Sequence, residues 1–349
     1  GGKMELSVLN ETDYERFCRF EKEYSENGND RYSKYVTPET FRSFLDRLVK
    51  DAKGIALEPD RAMQIAWWLR DGADELLGAI RFRPKLDDGL YREAGHVGYD
   101  VRPSARNRGI ATQMLLLVLD KAKRLGYERL ILTCNTENDA SSKVIEKCGG
   151  QLDSIVFSSA KGHYLKRFRV PTGIDLNGKN GLSGTRCFLK ETNEEDLECL
   201  RSLWADGRVM QWVGFPYGIA YRSSKMREWL DSLGKRESRH FSVYSSEEVF
   251  CGEVYYAIDT VHRRASLDIK LRPEFQGKGV ATEALPKLID FCYKNEPIVR
   301  EVWAEPSSEN TAARKLYERC GLLPKERPAD MEAGESYWAL EWERWQPRV

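Results

Sequence analysis

The 349-residue chain has no apolar run approaching the ~18 residues of a membrane-spanning helix, so no helical span is expected. It also shows no basic and apolar leader ahead of its first polar helix. It lacks an excess of either charge, with 55 Lys and Arg against 55 Asp and Glu. A dedicated nucleic-acid binder normally carries a basic surplus and a disordered acidic chain a negative one, so both classes are disfavoured. Histidine is scarce, at four residues, and the eight cysteines form no CxxC pair and no metal-type spacing with histidine. The expectation is a reduced cytoplasmic protein with buried thiols, no metal, no nucleic-acid partner and no membrane partner. Neither a G-x-G-x-x-G dinucleotide fingerprint nor a Walker G-x-x-x-x-G-K-[ST] loop is present.

What is there is enough apolar sequence (41%) to build more than one core, and at ~150 residues per domain the length suggests two. Gly1-Gly2-Lys3 before Met4 reads as an expression scar and is set aside. The two domains are copies of each other. Arg102-Pro103-Ser104-Ala105-Arg106-Asn107-Arg108-Gly109-Ile110-Ala111-Thr112 resembles Arg272-Pro273-Glu274-Phe275-Gln276-Gly277-Lys278-Gly279-Val280-Ala281-Thr282. Asn138 to Gly149 resembles Asn310 to Gly321, Leu77-Gly78-Ala79-Ile80 resembles Cys251-Gly252-Glu253-Val254, and Asn10-Glu11-Thr12-Asp13 resembles Asn193-Glu194-Glu195-Asp196. The spacing between copies is 170 to 174 residues from Leu77 onward and 183 at Asn10, too long for a solenoid and right for two fused domains. Domains are therefore expected at 4–170 and 186–346. The Gly-, Pro- and Asn-rich segment 171–185 is the expected linker.

Periodicity gives each copy the same order of elements. In the first, helices are expected at 13–24 and 38–50, strands at 63–69, 75–83 and 94–101, a helix at 109–125, a strand at 129–134, a short helix at 141–147 and a strand at 163–170. In the second, helices are expected at 195–204 and 222–233, strands at 240–245, 249–258 and 265–271, then a helix at 280–294, a strand at 300–304, a helix at 311–319 and a strand at 337–345. The fold class is α+β, a mixed sheet flanked by helices.

The sharpest chemical feature is the strand–loop–helix R/Q-x-x-G-x-A, present twice. A helix N-terminus offers unpaired N–H groups and partial positive charge, and glycine lets the backbone come close to an anion. Arg108 and Lys278 add charge inside the loops, and such a site suits a pyrophosphate. Together with the N-x-x-A/S-x-x-x-Y/I-E-K/R-x-G segment that follows, this pattern resembles the GNAT (GCN5-related) N-acetyltransferases across most of both copies. The resemblance implies two tandem domains, each a mixed splayed sheet holding acetyl-CoA between its fourth and fifth strands. By position, Arg106, Asn107, Arg108, Gly109, Ile110, Ala111 and Thr112, and Gln276, Gly277, Lys278, Gly279, Val280, Ala281 and Thr282, would bind pyrophosphate. The pantetheine arm would follow the strands ending at Val101 and Leu271, with Asn138 and Asn310 near its far end. A small-molecule amine is the implied acceptor: an antibiotic, polyamine, amino-sugar or amino-acid derivative. The implied assembly is a monomer or homodimer.

Amine attack on a thioester needs the amine's proton removed and a proton returned to the departing thiolate. The resemblance places the acid at Tyr317 on the short helix, whereas the first copy has Ile145 there, which carries no proton. Ser141 or Ser142 is a candidate substitute there, each also suited to capping or solvating the short helix. For a base, strand alternation puts Ser266, Asp268 and Lys270 on one face and Leu267, Ile269 and Leu271 on the other, so Asp268 is a candidate, as is Glu253 on the neighbouring strand. The first copy has His96, Gly98 and Asp100 on the matching face, and His96 would be able to titrate near neutrality. Its first helix is rich in Glu and Asp, which would suit a lid over a cationic amine. Trp204, Trp212, Phe215, Tyr217 and Trp229 crowd the same region of the second copy. The second copy is expected to be the catalyst. The alternatives are that both copies act on different amines, or that the first is an acyl-CoA-binding or regulatory module.

Overall fold

The structure is a computed structural model describing residues 4–58, 61–235 and 237–349. It divides into two compact units, one up to Gly173 and one from Ile174 to Arg348.

The first unit runs β1 (Glu5–Ser7), α1 (Tyr14–Glu26), α2 (Pro38–Lys53), β2 (Ile65–Arg70), β3 (Leu76–Phe82), α3 (Asp88–Glu93), β4 (Val97–Val101), α4 (Ile110–Arg124), β5 (Arg129–Asn135), α5 (Asp139–Lys147), β6 (Gln151–Ser158) and β7 (His163–Pro171). The second runs β8 (Leu182–Ser183), β9 (Cys187–Glu191), α6 (Leu197–Trp204), α7 (Gly207–Met210), α8 (Ser223–Leu233), β10 (Ser238–Ser245), β11 (Phe250–Asp259), β12 (Arg264–Leu271), α9 (Val280–Asn295), β13 (Glu301–Ala304), α10 (Thr311–Arg319), β14 (Leu323–Pro324) and β15 (Trp338–Glu341). In the first unit β1-β2-β3-β4 and β5-β7-β6 are separate sheets, joined among the described residues by a single bridge at Gly95 and Leu132. In the second, one sheet is ordered β8-β9-β10-β11-β12-β13-β15-β14. Its parallel pair, β12 with β13, stops after Ser266 and Trp303. The strands then diverge and leave that edge of Leu267–Leu271 open.

The repeated segments have local physical causes. Asn10 and Asn193 each begin a capping box. Their side chains accept the N–H groups of Thr12 and Glu195, and Asp13 and Asp196 return to accept the cap N–H at 2.9 Å. Gly252 sits at φ +156° where a Cβ would lie 2.0 Å from the Lys270 carbonyl oxygen. At Gly78 a Cβ would lie 2.8 Å from the Asp100 carbonyl oxygen. A side chain at either place would push two paired strands apart. On the helix side of each sheet, Ile110, Met114, Leu115 and Val118 of α4, and Ala284, Leu285, Leu288 and Ile289 of α9, fill the main cores.

The expected helices and the strands flanking the loops are present. Five strands and two short helices were not anticipated. β1, β8, β9 and β14 are short edge pieces or lie against the 171–185 segment, and α3 and α7 are barely longer than a turn. β6 also escaped notice because its Ile155 and Phe157 are half-exposed and give no inward-facing stripe. The segment expected as a linker is not bare. Leu176 and Leu182 are buried in the second unit's core, and Leu182 pairs with Leu189.

Candidate active site

In the second unit, the divergence of β12 from β13 opens a cleft of about 930 Å³. Its walls come from β12, the loop before α9, the first turns of α9, and α10. Every residue from Gln276 to Thr282 except Val280 lines it, as do Leu271 and Asn310. Val280 instead points into the core at 5% exposure.

The loop is shaped for an anion. Gly277 and Gly279 have φ of +72° and +79°, and no side chain caps α9, so its first N–H groups are left for a ligand. Gln276 Nε2 donates to the Leu271 carbonyl oxygen at 3.0 Å and ties the loop to the end of β12. A Cβ on Gly279 would collide with Arg186 Nη1 at 1.8 Å. Arg186 is thus folded onto the loop, and with Lys278, Lys315 and Arg319 it makes this wall cationic. The first unit repeats the loop. Asn107 and Gly109 have φ of +59° and +76°, α4 starts without a side-chain cap, and Arg106 Nε donates to the Val101 carbonyl oxygen at 3.3 Å. The exposed Arg108 supplies the loop's charge there. The residues of both loops therefore fit a pyrophosphate. Asn138 and Asn310 have a structural task as well, since their side chains accept from the third residue of α5 and α10 at 3.0 Å.

Tyr317 and Asp268 both line the cleft. The Tyr317 phenol is almost wholly buried, and its hydroxyl has no hydrogen-bond partner among the described residues. Burial, then Asp268, pushes its pKa above the ordinary 10. Asp268 is about a quarter exposed, accepts from the Tyr255 hydroxyl at 3.0 Å and is paired with Lys270. Glu253, the other candidate base, is corrected by the structure. It is 1% exposed, does not line the cleft, and is held by Trp204 Nε1 at 3.0 Å, His240 Nε2 at 2.9 Å and Lys270 Nζ at 3.2 Å. Burial alone would raise its pKa, but Lys270, followed by His240 and Trp204, outweighs this and holds the carboxyl at about 2. So weak a base has little driving force to take an ammonium proton.

The aromatic residues divide. Trp212 lines the cleft, while Trp204 and Trp229 pack edge-to-face at 4.9 Å in a core of their own and Tyr217 is 94% exposed. Arg186, Val213, Glu305, Lys315 and Arg319 were missed. Arg186, Val213 and Glu305 come from outside the loop and α10, whereas Lys315 and Arg319 sit on α10 on either side of Tyr317, within the repeated Asn310–Gly321 segment.

In the first unit, Ile145 occupies the tyrosine position and is fully buried. Strand register gives the other equivalences: Gly78 pairs Val101 as Gly252 pairs Leu271, so Gly98 matches Asp268 and Ala79 matches Glu253. No proton-transfer group stands at any of the three positions. Ser141 is engaged by the Tyr99 hydroxyl at 2.8 Å and Ser142 by Lys166 at 3.2 Å. In the acidic first helix region, Asp13 is locked on Arg70 at 2.7 Å and Glu23 on Arg102 at 2.6 Å, while Glu15, Glu26 and Asp30 are exposed. His96 does not titrate near neutrality, because burial and then Arg83 push it down to about 3, and its Nδ1 accepts the Ile131 N–H at 2.8 Å. Its folded pKa lies below the unfolded 6.5, so the stability it lends is full above pH 6.5 and fades as pH falls toward 3. First-unit unfolding midpoints should drop across that window, and His96→Gln should flatten the slope; an unchanged slope in the variant would remove His96 as its source.

The chain belongs to the GNAT acetyltransferase family: the model for the acetyltransferase (GNAT) domain matches residues 3–151 and again 186–323. It is thus a tandem member of the acetyl-CoA-dependent N-acetyltransferases. Among curated relatives, N-acetyltransferase p20 of Bacillus licheniformis is 29% identical over 149 residues, which is 40% of this chain and 82% of that protein. Spermidine N(1)-acetyltransferase of Escherichia coli is 28% identical over 135 residues, 38% of this chain and 71% of that protein. Among solved structures, the spermidine N-acetyltransferase of Vibrio cholerae in complex with CoA and spermine is 20% identical with a TM-score of 0.40, covering 46% of this chain and 98% of that one. No helix among the described residues is long and apolar enough to cross a membrane.

Proposed function

We propose that the second unit, spanning about residues 186–346, moves an acetyl group from acetyl-CoA to a primary amine of a small molecule. The observation that carries this reading is that Tyr317 lines the cleft and its hydroxyl has no hydrogen-bond partner among the described residues. Bound acetyl-CoA supplies an activated acyl carbon and a thiolate leaving group. The α9 N-terminus, Arg186 and Lys278 would hold its pyrophosphate, and the edge of β12 that β13 leaves unpaired would run along the pantetheine arm, with the Ile269 N–H already donated to Asp268 Oδ1 at 2.8 Å. Tyr317 donates its proton toward the sulfur, and a raised pKa suits an acid that must stay protonated until then. Asp268 accepts the amine proton. Trp212 and Asp268 together offer a cation an aromatic face and a carboxylate. The names of the E. coli relatives make spermidine the first acceptor to test.

A second reading applies to the first unit, about residues 4–170. The loop fits pyrophosphate while Ile145, Gly98 and Ala79 carry no exchangeable proton, which favours a non-catalytic acyl-CoA-binding module.

The test is acetylation of a panel holding spermidine, an aminoglycoside and an amino-acid amide, with the full chain. Turnover of at least one amine is expected, lost on Tyr317→Phe and kept in Arg108→Glu. Turnover that survives Tyr317→Phe intact would move the chemistry elsewhere. Lys278→Glu should raise the KM for acetyl-CoA about tenfold, roughly 1.4 kcal/mol, with kcat little changed. A fall in kcat at unchanged KM would mean that Lys278 does not hold ground-state phosphate.

A further inference from the structure

The face of β3 and β4 that matches the Glu253–Asp268 face of the second unit has reversed its charge. In the second unit this face carries two carboxylates, Glu253 and Asp268, and one cation, Lys270. In the first, register puts Ala79 and Gly98 where those carboxylates stand, Asp100 where Lys270 stands, and Arg81 where Tyr255 stands. Arg83, two residues on from Arg81, lies on the same face.

The carboxylate on this face is saturated. Asp100 accepts from the Tyr24 hydroxyl at 2.7 Å, the Tyr32 hydroxyl at 3.0 Å and Arg31 Nη1 at 3.3 Å, and is paired with Arg81 Nη2 at 2.7 Å. Asp100 is thus shared by two guanidinium groups, Arg31 and Arg81, and Arg83 stands beside them. Arg83 has no ion pair among the described residues, and its head group makes one hydrogen bond, from Nη1 to the Gly95 carbonyl oxygen at 3.2 Å. Burial, with repulsion from Arg81 and Arg31, draws its pKa down to about 10, which leaves it charged at neutral pH and short of a counter-ion. Gly98 has no side chain, and the head groups of Arg83 and Arg81 flank the place where one would stand. A Cβ there would lie 3.6 Å from Arg83 Nη2 and 3.9 Å from Arg81 Nε, ordinary contact distances.

We propose that the first unit binds an oxyanion group, a carboxylate or phosphate on a small molecule, between Arg83 and Arg81 over Gly98. Two converging guanidinium edges match the fork of such a group, and a partly desolvated cation gains most from pairing. The site takes ligands of the opposite sign to the cationic amine that suits Asp268. It rests on the acceptor-face equivalence, not on turnover in either unit.

The experiment is calorimetric titration of the full chain, saturated with CoA so that the glycine loops are filled. Succinate and inorganic phosphate are the probes, in separate arms. Saturable binding in at least one arm is expected, and the stronger arm identifies the source. Arg83→Gln should weaken it at least tenfold. Gly98→Asp, which restores the carboxylate found at Asp268, should abolish binding and raise the thermal midpoint of a folded protein. Arg83→Lys should lie between. No saturable heat in either arm, or equal affinity in Gly98→Asp, overturns the proposal. If CoA itself does not bind, the loop reading fails separately, and the probes are then read on the apo chain with Arg108→Glu and Lys278→Glu as the background.

Discussion

Tyr317→Phe is expected to reduce kcat by about 10²–10⁴-fold while the KM for acetyl-CoA moves less than threefold, the range for losing one positioned proton donor. The change removes a single oxygen from a ring that is 6% exposed, so packing is preserved and the loss is chemical. The hydroxyl has no partner among the described residues, and nothing buried is left unsatisfied by deleting it. A rate loss without a stability loss is therefore the diagnostic pair. Steady-state kinetics beside a thermal melt measure both. If kcat is unchanged, or if it falls only in step with the melting temperature, Tyr317 is a core aromatic. The first unit supplies an internal control, since Ile145 shows that this position is compatible with a purely apolar side chain.

The second large effect is on stability. Glu253→Ala should destabilise the second unit by about 3–5 kcal/mol, because it strips a buried ion pair of one member, leaving Lys270 with Asp268 alone and taking the acceptor from His240 Nε2 and Trp204 Nε1. Glu253→Gln keeps the shape and the bond from Trp204 but loses the charge, and should cost less. The linkage has a definite sign. The folded carboxyl at about 2 lies below the unfolded 4.5, so its contribution is complete above pH 4.5 and is lost as pH falls to about 2. Denaturant unfolding at pH 7 and pH 3 should show a native-minus-variant difference that shrinks at the lower pH. A difference constant with pH would mean that Glu253 is held by shape and not by charge.

Glu253 also shows why one class of residue misled the sequence reading. Its place on the strand beside Asp268 and Lys270 made it a candidate base, and the register does pair it with Lys270. It did not reveal that Trp204 from α6 and His240 from β10 converge on that carboxylate and bury it. Whether an acid on a strand is a base or a buried counter-ion depends on groups 13 to 49 residues away. His96 failed for the same reason, since Tyr127 and Phe82 enclose it from other elements.

By itself the sequence determined the duplication, the two glycine loops, the helices behind them and the loss of a proton donor at Ile145. These follow from local rules: capping boxes, left-handed glycines at helix starts, alternation and periodicity, all of which act within a few residues. Only the tertiary structure decided that Arg186 folds onto the loop at Gly279, that Leu176 and Leu182 belong to a core, and that Arg83, beside Gly98, has no ion pair among the described residues. Electrostatic character is a sum over everything within several ångströms, and those neighbours come together only when the sheet is assembled.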